Sequence, residues 1–181
     1  TADLIEGNLI DGRLANGTLR LVTTTPGATG LGFVYPSDGT RKAEELAETT
    51  NRKLVENSDL SDWVPNRIDA DGSRHQLIDC DQLYRPVEPS GFSMLSILTI
   101  SDGLSSLTAS GVLADGQITY ASSEHLYVAT NAWADLSKDT GAQPISAEHT
   151  DVHSFAIDGP APANYEASGR VDGHVLKQYS L

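Results

Sequence analysis

Met94-Leu95-Ser96-Ile97-Leu98-Thr99-Ile100 is the stretch on which the fold turns. Apolar side chains stand at both odd and even positions, so both faces of an extended chain carry them. That is the composition of a strand covered on both sides rather than one with a wet face. Outward from it the β pattern continues. Asp102-Gly103 marks a turn, Leu107 to Leu113 a second strand and Asp115-Gly116 another turn. Ile118 to Ser122 and Leu126 to Thr130 read as a third and fourth strand. Short strands joined by tight turns predict an antiparallel meander over residues 92–131. After an irregular stretch from Asn131 to Thr150, Val152 to Ile157, Tyr165 to Val171 and Val175 to Leu181 predict an incomplete second unit over 151–181.

Toward the N-terminus, Leu9, Ile10 and Leu14 precede Asn16-Gly17, and Leu19, Leu21 and Val22 follow it. Both turn residues tolerate positive φ, so residues 1–25 read as a strand hairpin. Gly27 to Gly39, rich in Gly, Pro and Ser, reads as loop. The period then changes. Ala43, Leu46, Ala47, Thr50 and Leu54 recur at helical spacing, with charged residues between them. They predict one amphipathic helix from Arg41 to Asn57 inside a helical insertion over 40–65. Ser58 is placed to cap a second short turn that ends at Pro65, and Asp69 to Ser73 reads as a turn.

The two β stretches resemble each other. Ala109-Ser110-Gly111 matches Ala167-Ser168-Gly169 at a spacing of 58, and Asp102-Gly103 matches Asp158-Gly159 at 56. Asp115-Gly116 likewise matches Asp172-Gly173. Ordered landmarks at near-constant spacing point to a repeat architecture. Sheets apolar on both faces need cover on both, which radially packed blades provide. The fold class expected is therefore mainly β, built of propeller-like antiparallel four-stranded blades with one inserted α-helix. A two-layer sandwich is the rival, since it buries one face of each sheet.

Bulk properties narrow the partners. The 181 residues suit one domain or two small ones, with 39% hydrophobic and 20% charged residues. The formal net charge is −13. So negative a surface repels phosphate backbones and anionic lipid, which argues against nucleic acid and membrane surfaces as partners. No apolar run approaches the roughly 20 residues of a spanning helix. A single cysteine, Cys80, cannot form an internal disulfide.

These residues resemble a family of predicted secreted prokaryotic proteins with a C-terminal β-propeller domain. The resemblance lies in Ile118 to Thr130 with Trp133, in Thr150 to Phe155, in Tyr165 to Gly173 and in Leu176 to Ser180. Asn51-Arg52, Ser58 to Pro65 and Leu77 to Cys80 are similar to the family's helix and linker. The resemblance implies a propeller fold and a secreted or cell-surface setting, and it brings no catalytic residue with it. Such proteins continue past the Gln178-Tyr179-Ser180 motif into further blades, so a partial propeller is expected. Its uncovered strand edges invite self-association.

Candidate sites are few. His149 and His153, four apart, share one face, with Glu148 and Asp151 nearby, but no Glu follows His149 as a zincin helix requires. Asp69-Ala70-Asp71-Gly72-Ser73 opens like a calcium loop, yet Arg74 and Cys80 stand where Gly and Glu belong. Neither is expected to hold a metal. Cys80 lies between Asp79 and Asp81, and negative neighbours work against a reactive thiolate. It is expected half-buried or paired outside this sequence. Ser93 sits in no nucleophile elbow and reads as strand entry. Trp63, Tyr127 and Trp133 are candidates to line a groove for a protein or carbohydrate ligand. No cofactor motif is present. The expected function is a non-enzymatic binding or scaffold module, with an extracellular hydrolase or lyase as the alternative.

Overall fold

The computed structural model describes residues 4–86, 90–101, 106–132 and 149–177. In chain order β1 (Leu4–Ile5), β2 (Asn8–Ala15) and β3 (Thr18–Thr25) come first. The helix α1 (Arg41–Glu56) and the short strands β4 (Asn66–Ile68), β5 (Arg74–Gln76) and β6 (Leu83–Tyr84) follow. Then come β7 (Met94–Ser101), β8 (Ser106–Leu113), β9 (Gly116–Ala121), β10 (His125–Ala132), β11 (His149–Ala156) and β12 (Asn164–Asp172). They form a five-stranded sheet in the order β2-β3-β7-β8-β6, a four-stranded sheet in the order β12-β11-β10-β9, and a small sheet β1-β4-β5. Pairing is antiparallel throughout, except that β6 runs parallel to β8.

Strand β7 lies at the centre of this arrangement, as its two-faced apolar pattern requires. Leu95 and Ile97 face the four-stranded sheet and join Val22 and Val112 against Leu126, Val128 and Phe155. Met94 and Leu98 face the other way and pack with Ala109 against Val64 of the insertion and Ile78, which follows β5. All four β7 side chains are at most 1% exposed. Full burial of each such side chain contributes about 1.5–3 kcal/mol, which makes β7 the main anchor of both layers.

The hairpin forms as expected, with Asn16 and Gly17 at φ of 50° and 78°. The strand grouping differs from expectation. β7, β8, β9 and β10 do not form one four-stranded unit over 92–131, because the chain changes sheets at Ala114-Asp115. Backbone N–H groups of Ala114 and Asp115 donate to the carbonyls of Ser93 and Ser90, and the Asp115 carboxylate accepts from Ser93 N–H. Gly116 then threads between the layers: a Cβ there would stand 2.7 Å from Leu95 and 3.0 Å from Val128. Asp115-Gly116 is thus a crossover, not a hairpin turn.

In the described residues the repeat keeps its order with a shifted phase, and its Asp102-Gly103 landmark lies outside them. One meander is β2-β3-β7-β8, interrupted by the insertion, and the next is β9-β10-β11-β12. Ala109 to Val112 and Ala167 to Val171 both lie on the fourth strand of their meander, not the second. Val175 to Lys177 is not strand, and the remainder of that expected strand lies outside the described residues. Ser58 is not the cap of the second turn either. Asp59 caps Leu60–Asp62 in a reciprocal box with Asp62.

Candidate functional site

Helix α1 begins at Thr40, whose hydroxyl accepts from Ala43 N–H. Its charged flank carries the spaced pairs Arg41–Glu45 at 2.9 Å and Arg52–Glu48 at 2.8 Å. Its apolar stripe is thinly covered: only Ala47 is buried, while Leu46 is 67% and Val55 43% exposed. Leu46, expected on the packed stripe, instead faces outward.

One latch holds the neighbouring loop to this helix. The Asn51 side-chain amide donates to Val34 C=O at 2.9 Å and accepts from Val34 N–H at 2.9 Å. Both backbone groups of Val34 are satisfied, and the loop is held beside the helix instead of collapsing onto it. Between them lies an open groove of about 910 Å³ with Phe33, Tyr35, Val55, Trp63 and Phe92 along it. Tyr35 is 87% and Phe92 72% exposed. Trp63 is fixed at one end, its Nε1–H donating to Ser58 Oγ at 2.9 Å, while Ser58 Oγ donates to Val55 C=O. Phe92 is fixed by close backbone approach, since a Cβ on Gly27 would fall 1.5 Å from Phe92 C=O. Glu44, Glu48, Arg52 and Glu56 supply the charged lining.

Polar groups also meet in the layer between the two large sheets. At one end Arg20, 7% exposed, donates to Thr99 Oγ1 and to the carbonyls of Ile157 and Gly159. Burial lowers its pKa from the ordinary value, and the nearby Asp158 opposes that shift. At the other end Ser90, Thr130, Asp151 and His153 meet, all buried. Ser90 Oγ lies 2.9 Å from Thr130 Oγ1 and donates to Asp151 Oδ2 at 3.3 Å. Thr130 Oγ1 lies 3.3 Å from His153 Nε2. Arg170 hydrogen bonds hold Asp151 below the usual carboxylate range, with burial opposing. Burial pushes His153 down from its ordinary value, against the pull of Asp151.

This cluster is not arranged as a nucleophile relay. A serine relay needs a base on the hydroxyl and an acid on the far ring nitrogen. Here Ser90 meets Asp151, whose charge Arg170 already neutralises. His153 Nδ1 has no hydrogen-bond partner among the described residues. The cluster ties β10, β11 and β12 to Ser90, whose carbonyl accepts from Asp115 N–H at the crossover.

A family model described as a β-propeller domain matches residues 3–181. The chain belongs to that family. Neither a curated protein nor a solved structure matches it. In the β-propeller family the up-and-down four-stranded meander is the blade, and β9 to β12 is such a unit.

The candidate residues read from the sequence disperse on this propeller-family framework. His149 and His153 share a face of β11, but His149 Nδ1 meets Asp172 at 3.0 Å while His153 meets Thr130. Glu148 lies outside the described residues. Asp69 faces Arg67 at 3.1 Å and His75 at 3.2 Å, and Asp71 accepts from Ser73, so this segment is a hairpin turn between β4 and β5. Among the described residues no group of three or more His, Cys, Asp and Glu is placed to hold a metal ion. Cys80 is exposed rather than half-buried. Of the three aromatic candidates, Trp63 reaches the groove, Tyr127 stacks with His125 on the other sheet, and Trp133 lies outside the described residues. Phe33, Tyr35 and Phe92 were missed as candidates. The signal was the apolar run Phe33-Val34-Tyr35-Pro36 inside an otherwise Gly- and Ser-rich loop.

Proposed function

We propose that this chain is a non-enzymatic binding module of a secreted or cell-surface protein, and that it engages its ligand at the groove between α1 and the loop 27–36. One observation carries the reading: a preformed apolar groove with Tyr35 and Phe92 open to solvent, held by the Asn51–Val34 latch. Contiguous exposed apolar surface of this kind marks interaction sites, and preorganisation lowers the ordering cost of binding. The secreted setting is supported by the resemblance of the sequence to predicted secreted propeller proteins. An enzymatic reading would draw on Asp151 and His153, and it is weaker because both are buried and Asp151 is paired to Arg170.

Selection of an unbiased displayed-peptide library tests the reading, with the Tyr35→Ala/Phe92→Ala double variant as counter-target. Both side chains are exposed, so the variant keeps the wild-type circular dichroism and melting. We expect peptides that bind the wild type at least about tenfold better than the variant, as loss of hot-spot aromatics implies. Recovery only of peptides that bind both proteins equally would place the binding face elsewhere.

A further inference from the structure

We infer that the occupant of the groove is a polypeptide segment with aromatic or aliphatic anchors flanked by Lys or Arg. This rests on the groove being the binding site and adds the chemistry of its partner. Three features select that chemistry. First, the groove pairs aromatic rings with aliphatic walls: Val34, Pro36, Ala47 and Val55 accompany Phe33 and Tyr35. Aliphatic walls match apolar side chains, whereas a hydroxylated sugar ring would leave its polar edges unpaired against them.

Second, the charged lining is acidic. Glu44, Glu48 and Glu56 face the groove, and the one cation among them, Arg52, is bound to Glu48 at 2.8 Å. Glu44 and Glu56 stand near opposite ends of α1, so the excess negative charge brackets the apolar floor. The chain as a whole carries −13, which steers cationic segments toward it and acidic ones away.

Third, the described residues leave the apolar side of α1 partly uncovered: Val55 is 43% exposed, and Ala47 alone on the helix is buried. An occupant bringing apolar side chains would complete the packing that the helix otherwise lacks.

The test extends the peptide selection. Among peptides whose binding requires Tyr35 and Phe92, we expect Lys and Arg enriched beside the aromatic and aliphatic positions. Their affinity should fall as salt rises from about 0.05 to 0.5 M, as screening of exposed charges demands. The Glu44→Lys/Glu56→Lys variant should bind them about tenfold more weakly, from two lost and two reversed surface interactions. The same variant used as bait should enrich Asp and Glu instead. Groove-dependent peptides with no basic bias, unaffected by salt and by this variant, would overturn the inference while leaving the groove as the binding site. If neither a groove-dependent peptide nor a groove-dependent glycan is recovered, both readings fall. A glycan array signal abolished by Tyr35→Ala, with no groove-dependent peptide, would make the occupant a carbohydrate and overturn the inference.

Discussion

Arg170 on β12 clasps Asp151 on β11 with two parallel hydrogen bonds, Nε to Oδ1 at 2.7 Å and Nη2 to Oδ2 at 2.8 Å. The two residues are direct partners in the strand register. The carboxylate is buried, and the guanidinium side chain is 33% exposed. Removing one member of such a pair leaves the other charge poorly compensated. Arg170→Ala is expected to lower unfolding stability by about 3 kcal/mol. Arg170→Lys should recover only part of that, because an ammonium cannot make the planar fork. Urea denaturation of the two variants checks this, and wild-type midpoints for both would contradict it.

His153 makes stability depend on pH. Its ring is fully buried, faces Thr130 and Asp151, and lies 6.2 Å from the Tyr165 ring. Its pKa is lower in the folded chain than in the unfolded one, where it is about 6.5. The unfolded chain therefore binds the proton more readily. The stabilising contribution is complete above about pH 6.5 and is lost as pH falls toward the folded value. Asp151, also depressed, adds a second loss that begins below about pH 4. Urea midpoints of the wild type should fall between about pH 7 and 5, and those of His153→Gln should fall less steeply. Identical slopes would show that His153 does not titrate with unfolding.

The Asn51 latch predicts a local effect. Its two hydrogen bonds to Val34 are exposed, so Asn51→Ala should change global stability by less than about 1 kcal/mol. The Val34 amide should nonetheless lose most of its protection against hydrogen exchange, since its acceptor is gone. Unchanged exchange at Val34 would mean that the loop is held by other contacts.

Phe155 tests the packing between sheets. It is 0% exposed and meets Tyr165 edge-on at 5.4 Å, within the cluster that includes Leu95 and Val128. Phe155→Ala should cost about 3–5 kcal/mol in denaturant unfolding. A loss below about 1 kcal/mol would mean that the two sheets are not packed through this residue.

Local chemistry made much of the fold legible. The 3.6-residue period predicts a helix over Arg41 to Asn57, which α1 fills as far as Glu56, and Asn16-Gly17 marks the β2–β3 hairpin. The apolar residues on both faces of Met94 to Ile100 required cover on both sides, which the four-stranded sheet and the insertion provide. The candidate site was barely legible. Trp63 was singled out, but Phe33 and Tyr35 stood in a stretch whose glycines and prolines announced only a loop.

By itself, then, the sequence determined the long helix, the β2–β3 hairpin, the longer strands of the two large sheets and that β7 must lie inside, because backbone propensity and side-chain alternation act over a few residues. The two- and three-residue strands β4 to β6 carry too short a pattern to be read that way. Tertiary structure alone decided the sheet each strand joined and the partner each polar group found. Asp-Gly reads as a turn wherever it occurs. Only the space between Leu95 and Val128 makes Asp115-Gly116 a crossing between layers. Gly27 and Phe92 lie far apart in sequence, and so do Ser90 and Asp151, yet each pair is in contact once strand register and layer packing are set. Such contacts depend on three-dimensional closeness, which no local pattern of residues encodes.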